Sequence, residues 1–306
     1  MGKGIRKRLA AAFCVMTALA ACDPAALTAP TSSPAPAARP EVRSARSRDL
    51  QRYYLAVQND LLANGLLRTD GGGPDTPFDA DDLVRNFERI AFFDEYSRGG
   101  RGGGTLSRWE VPVRVGIEFG PSVPPAQRNK DDADIRAYVA RLARITGHPI
   151  SVTDRRTNFH VFVAGEDDRD FVQNRMRQLV SGVSDSELSL FRDLPRSFYC
   201  FVVAVSDRRN PNAYVHAAAL IRAEHPDLVH LSCIHEELAQ GLGLPNDSPQ
   251  VRPSIFNDDD EFALLTTHDE MLLRMLYDPR LSPGMTAEQA RPVARIIANE
   301  LMGTGS

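Results

Sequence analysis

Residues 232–247, with the sequence SCIHEELAQGLGLPND, constrain the fold more than any other stretch of the chain. Ile234, Leu238 and Leu242 recur every fourth residue. At about 100° per residue they form one apolar stripe of a helix. The glutamates fall on the other side, and a glycine run ends the helical pattern. This stretch therefore predicts a helix that packs on the core by one side and ends at a sharp turn.

The helix can be compared with the zinc-binding pattern H-E-x-x-H-x-x-G-x-x-H in two alignments. Zinc needs two histidines one helical turn apart, and the glutamate serves as general base on the metal-bound water. An alignment that starts at His235 leaves Ala239 at the second histidine position and Leu242 at the glycine position. It also places His235 near the edge of the apolar stripe, away from the glutamates. We therefore set this alignment aside.

The alignment that starts one residue later fits both the glutamate and the glycine. Glu237 takes the general-base position and Gly243 the structural turn, while Glu236, Gln240 and Asn246 occupy the three ligand positions. Gln and Asn are neutral amides, and an all-oxygen set suits Ca²⁺ or Mg²⁺ better than Zn²⁺. We expect vestigial ligand positions with no bound metal and no cofactor. Under this alignment Glu237 is catalytic only if the protein is active with an unusual metal.

The first 22 residues indicate the compartment. Four basic residues precede an apolar run that is too short to span a bilayer, and this run ends in Leu-Ala-Ala-Cys. The pattern resembles a bacterial lipobox, which predicts a signal peptide over residues 1–21 and lipidation of Cys22. An ordinary signal peptide with a chance cysteine is the alternative. We expect a lipid anchor in the cell membrane or outer membrane, facing the periplasm.

The rest of the chain divides into a tether and one domain. Residues 22–48 are rich in Pro, Ala and Ser and cannot build a core. Residues 49–306 are long enough for one sizeable domain. Without the four basic residues of the leader, 32 basic and 40 acidic residues remain, a net charge of −8. This acidity argues against nucleic acid as a partner. We expect contact with the membrane through the lipid, and with an unknown envelope protein or peptide.

Two cysteines lie in the predicted domain, Cys200 and Cys233. Disulfides form and persist in exported proteins, so this pair predicts one bond between a strand and the helix of residues 231–242. Two buried free thiols are the alternative.

Hydrophobic periodicity predicts helices and strands in an α+β order. The helices are expected at 49–65, after a cap at Asp79, and at 131–147, 168–182, 231–242, 267–277 and 286–302. The strands are expected at 109–120, 149–154, 158–165, 197–207 and 213–222. The acidic loop at 256–262 reads as solvated rather than calcium-binding, since it lacks the spacing of an EF-hand. His268 follows a threonine cap and is expected to have a structural role.

Longer stretches resemble the bacterial family called domain of unknown function 2927. WEVPVRVGIEFGPSVP, RLARITGHPISV, AEHPDLVHLSC and the segment from HEELAQGLGLPND to SPGM carry the resemblance, which covers about residues 107–302. The family looks like a distant relative of zinc peptidases of the metzincin and gluzincin type. The resemblance implies a zincin-like α+β fold, a twisted mixed sheet packed on two helices with a helical C-terminal part. It implies no reaction.

Two functions of different kinds follow from these patterns. The first is a lipid-anchored envelope protein with a non-catalytic binding or assembly role. The second is a metal-dependent, peptidase-like hydrolase with Glu237 as general base. A purely structural envelope component is a third possibility.

Overall fold

The computed structural model describes residues 43–93, 104–180, 185–192 and 195–303. The predicted signal peptide and Cys22 lie outside this part of the chain. The helices are α1 (Ala45–Ala63), α2 (Ala80–Ala91), α3 (Pro125–Thr146), α4 (Arg169–Leu179), α5 (Asp185–Arg192), α6 (Asp227–Gln240), α7 (Thr267–Leu276) and α8 (Ala287–Gly303). The strands are β1 (Arg108–Trp109), β2 (Val113–Phe119), β3 (Ile150–Val152), β4 (Phe159–Ala164), β5 (Cys200–Asp207) and β6 (Asn210–Arg222). A 3₁₀ turn, Glu166–Asp168, precedes α4.

In the described part of the chain, six strands form one mixed sheet. The longest strand, β6, pairs in parallel with β1 and β4 and antiparallel with β5. On the far side of β4, strand β2 pairs in parallel with both β4 and β3. The α+β class and the mixed sheet are therefore confirmed, with β5 as the one antiparallel strand.

Helices cover both faces of the sheet. Residues of β4 alternate between two cores, because successive strand residues point to opposite faces. Val161 and Val163 pack in the larger core with residues of α3 and α6. Phe162 packs in a second core with Val172 and Met176 of α4. The resemblance implied a sheet packed on two helices. That packing describes the face covered by α3 and α6 but not the face covered by α4. All six residues of β4 are buried, and such a strand needs cover on both sides.

The helical C-terminal part packs against α2. Asp79 caps α2 in a reciprocal capping box with Asp82, as the sequence predicts. Thr266 forms the same arrangement with Asp269 at the start of α7. Both α7 and α8 pack on α2, so these three helices form one helical layer.

Several predicted boundaries differ from the structure, and the short helix α5 was not predicted. Helix α1 starts at Ala45, four residues before the predicted start at residue 49, and Ser44 is its N-cap. The predicted strand 109–120 is divided into β1 and β2 around Pro112, which has no N–H to donate to a sheet. Helices α3 and α6 start at Pro125 and Asp227, six and four residues before the predicted starts at 131 and 231. The other predicted helices and strands lie within three residues of their predicted bounds. None of the described helices is both long and apolar enough to cross a membrane.

Candidate functional site

Helix α6 carries the candidate site, and a side chain of α1 caps its N-terminus. Its N-cap residue, Pro226, makes no side-chain capping bond. Oε1 of Gln58 on α1 instead accepts the backbone N–H groups of Leu228 and Val229, at 3.1 and 3.2 Å. These N–H groups have no partner inside the helix, so α1 supplies the missing cap.

The apolar stripe predicted for α6 is confirmed. Ile234, Leu238 and Leu242 are each at most 1 % exposed and belong to the larger core. Their burial fixes the rotation of the helix about its axis. The positions of the side chains between them follow from that rotation.

The turn after α6 accepts hydrogen bonds from two aromatic side chains. The indole Nε1–H of Trp109 donates to the carbonyl of Gly241 at 2.8 Å, and the Tyr277 hydroxyl donates to the carbonyl of Leu242 at 2.9 Å. Gly243 has a positive φ of 126°. These aromatic donors satisfy carbonyls at the end of the helix, where intrahelical partners run out.

The four positions of the zinc-pattern alignment lie on α6 and on the loop that follows it. Glu237 is only 3 % exposed, and Glu236 and Gln240 are half-buried. Nε2 of Gln240 donates to Oδ1 of Asp247 at 2.9 Å. Nδ2 of Asn246 donates to the backbone carbonyl of Arg89 at 2.8 Å. Both amides therefore make specific hydrogen bonds within the fold.

The predicted disulfide is present. Cys200, the first residue of β5, and Cys233 on α6 are joined, with their Cα atoms 5.9 Å apart. The Cys200 sulfur and carboxylate oxygens of Glu236 and Glu237 lie within 4.8 Å of one another. In the described residues this is the single group of three Cys, His, Asp or Glu side chains with such a spacing. Its sulfur is in the disulfide and is not a thiolate, so two carboxylates remain as ligands.

His235, the histidine of the rejected alignment, points into the core. Its ring stacks on Tyr138 with centroids 3.9 Å apart, and its Nδ1 accepts the backbone N–H of Leu265 at 3.1 Å. Burial, and secondarily the charge of Arg141, lower the pKa of His235 to about 3. A neutral, hydrogen-bonded imidazole in the core is a structural side chain.

No sequence pattern indicated a role for His225, which lies in the turn between β6 and α6. Its Nδ1 is 3.8 Å from the Cys233 sulfur, and its side chain is packed edge-on against Tyr54. Burial, followed by the nearby His230 and Arg222, holds the pKa of His225 well below its usual range. The disulfide therefore lies between a neutral imidazole on one side and the α6 carboxylates on the other.

His268 has the structural role expected of it. Its side chain is fully buried, its Nε2 is 3.0 Å from Nδ2 of Asn86, and its ring packs edge-on against Phe78. These contacts join α7 to α2.

The acidic loop is partly solvated. Asp258 and Asp259 are exposed, but Asp260 is half-buried. Burial, reinforced by its two acidic neighbours, raises the pKa of Asp260 to about 6. The loop is thus solvated at Asp258 and Asp259, as expected, but not at Asp260.

Strand β5 has one edge open among the described residues. It pairs with β6 on one side, and the described chain places no other strand beside it. Residues 202–206 are half-buried, so part of each residue reaches the surface. An edge strand of this kind can hydrogen-bond a further extended chain.

The fold and the site define a class of protein: a mixed α/β domain whose antiparallel edge strand is covalently joined to α6. The chain belongs to the family described as Protein of unknown function (DUF2927), whose sequence profile matches residues 80–296. Comparison with curated proteins and with solved structures gives no match. The matched residues run from the start of α2 into α8 and include α6 and both cysteines of the disulfide.

Proposed function

We propose that this protein is a lipid-anchored component of the bacterial envelope that binds an extended peptide without cleaving it. The scaffold is zincin-like, and its zinc ligands have been replaced. The peptide would lie along the open edge of β5, beside the carboxylates of α6.

The hydrogen bonds of the two amides on the ligand positions carry the non-catalytic part of the proposal. Gln240 and Asn246 donate to Asp247 and to the Arg89 carbonyl, and neutral amides are poor zinc ligands. Without bound zinc, Glu237 has no metal-activated water to deprotonate. Its burial on α6 then serves the structure of the domain.

The peptide-binding part is supported by β5 and its charge environment. An extended chain that pairs with an edge strand gains main-chain hydrogen bonds, and nearby side chains set the specificity. Glu236 and Glu237 lie beside Cys200 at one end of β5. The half-buried carboxylate of Glu236 at this place favours a lysine or arginine on the bound peptide.

The lipid anchor is supported by the leader alone. Several acyl chains hold a protein on a membrane stably, whereas one holds it weakly. We expect Cys22→Ser to release the protein into the soluble fraction, while mass spectrometry of the wild-type chain finds an acylated Cys22. Retention of Cys22→Ser in the membrane would refute the anchor without affecting the binding proposal.

Elemental analysis of protein purified without chelator tests the non-catalytic part. We expect no stoichiometric zinc and no cleavage of generic peptides. One equivalent of zinc, together with hydrolysis that is lost in Glu237→Gln, would establish the alternative peptidase.

Calorimetry with a synthetic peptide of alternating threonine and valine that carries one lysine tests the binding part. Glu236→Lys should weaken binding about tenfold, since like charges repel, and this corresponds to about 1.4 kcal/mol. Glu288 is exposed on α8, so Glu288→Lys is the matched charge control. Equal affinities of the two variants would contradict the proposed surface.

A further inference from the structure

We propose that reduction of the Cys200–Cys233 disulfide creates a zinc site formed by the freed Cys200 thiolate with Glu236 and Glu237. This site differs from the vestigial ligand set, because sulfur takes the place of the amides of Gln240 and Asn246. The proposal does not depend on peptide binding or on the lipid anchor.

The placement of the three side chains carries the proposal. The Cys200 sulfur and the two carboxylate oxygens already lie within 4.8 Å of one another. Ligand atoms about 2.0–2.3 Å from one zinc ion are separated by a few ångströms, so small side-chain movements suffice. Three protein ligands and a water complete a tetrahedral site. Glu237 is 3 % exposed, so a metal held there would be largely shielded from solvent.

The second cysteine has a separate environment, which provides independent support. His225 is 7 % exposed, its Nδ1 is 3.8 Å from the Cys233 sulfur, and its Nε2 has no hydrogen-bond partner among the described residues. The neutral imidazole can accept a hydrogen bond from a Cys233 thiol. After reduction, Cys233 therefore stays with His225, and the Cys200 thiolate is left to the two carboxylates.

The reductant is a dithiol, and the exchange balances. Cys200 is half-buried, whereas Cys233 is 2 % exposed, so the attacking thiolate bonds to the Cys200 sulfur and the S–S electron pair leaves with Cys233. Cys233 takes a proton from solvent. The second thiolate of the dithiol then attacks the mixed disulfide, releases the Cys200 thiolate and becomes oxidised itself. Binding of Zn²⁺ requires this thiolate in its deprotonated form.

Metal titration of the mature chain, oxidised and then reduced with the dithiol removed before metal is added, is the primary experiment. We expect about one equivalent of zinc per chain in the reduced protein only. Co²⁺, as a spectroscopic substitute, should give a thiolate-to-cobalt charge-transfer band in the near ultraviolet. Absence of both zinc and this band after complete reduction would overturn the proposal. Zinc in the oxidised protein would instead contradict the non-catalytic function, so the two failures are distinguishable.

Two single variants separate the site from the loss of the disulfide. Cys233→Ser and Cys200→Ser both remove the bond, but only Cys233→Ser keeps the thiol next to the carboxylates. We expect Cys233→Ser to bind zinc without reductant, and Cys200→Ser to bind it at least tenfold more weakly. Equal binding by the two variants would refute the site.

The carboxylates are tested in the reduced wild-type background, which also serves if a serine variant fails to fold. Glu236→Gln and Glu237→Gln together should remove the cobalt band, and circular dichroism checks that the fold is kept. Unchanged zinc affinity of this double variant would exclude the carboxylates as ligands and overturn the proposal.

Discussion

At the scale of single residues, two separate constraints exclude a side chain from position 243. The φ of Gly243 is 126°, a backbone conformation that residues with a Cβ rarely adopt. A Cβ built there would lie 2.4 Å from the carbonyl oxygen of Ser107 and 3.1 Å from Cδ2 of Leu276. The sequence predicted the first constraint from the end of the helix. The second arises from the residue that precedes β1 and from a residue of α7, both distant in the chain.

Gly243→Ala should therefore lower the free energy of unfolding by about 3 kcal/mol, from backbone strain and steric overlap together. Gly147 is the matched control, since it has a φ of 66° with nothing within 4 Å of a built Cβ. Gly147→Ala should cost only about 1 kcal/mol, from the backbone alone. Urea unfolding of both variants measures the difference. Equal losses would show that the contact with Ser107 is unimportant.

At the scale of elements, α1 is part of the domain rather than an extension of the tether. Ser47 of α1 is buried and donates to Oε1 of Glu224 at 2.8 Å. Tyr54 is fully buried, and Gln58 caps α6. These contacts explain why the helix starts before residue 49. A small polar residue such as Ser47 gives no periodic signal, and its partner is 177 residues away.

Gln58→Ala should destabilise the protein by about 1 kcal/mol, because two N–H groups at the start of α6 lose their acceptor. Gln51 lies on the same helix and is also half-buried, so Gln51→Ala controls for the change in helix propensity. We expect this control to be close to neutral. Thermal unfolding at a single pH compares the two variants. A Gln51→Ala loss as large as that of Gln58→Ala would contradict the capping role.

At the scale of the whole molecule, buried titratable groups make stability depend on pH. Burial lowers the pKa of His160 to about 4, an effect that the nearby Glu118 partly offsets. The unfolded chain then binds more protons than the native state between about pH 6.5 and pH 4. The native stability is complete above this window and is lost as the pH falls through it. Asp260 acts in the opposite direction, because its pKa is raised to about 6 and its native state holds the extra proton.

Replacement of these two groups should change the pH dependence in opposite directions. His160→Leu should reduce the loss of stability between pH 6.5 and pH 4 by on the order of 2 kcal/mol. Asp260→Asn should make the loss steeper, because a stabilising protonation has been removed. Urea unfolding at intervals across this pH range measures both slopes. A shift of both slopes in the same direction would contradict the assignment.

The candidate site could be predicted from the sequence only in part. The placement of Glu236, Glu237 and Gln240 on one side of α6 follows from helical geometry, and the apolar stripe of α6 was enough to predict it. The hydrogen-bond partners of the two amides could not be predicted in this way. Asn246, for example, donates to the carbonyl of Arg89, which is 157 residues away. The position of His225 beside the disulfide was also missed. It lies in a turn, where no periodicity indicates which way a side chain points.

The sequence by itself determined most of the helices and strands, the apolar stripe of α6, the turn glycine Gly243 and the pairing of Cys200 with Cys233. Each of these depends on the spacing of near neighbours, or on there being a single way to pair the two cysteines of the domain. Only the tertiary structure decided that α4 covers the second face of the sheet, that α1 caps α6, and that the disulfide meets two carboxylates. These features depend on contacts between side chains far apart in the chain, and such contacts are selected by the packing of the whole core rather than by any local pattern.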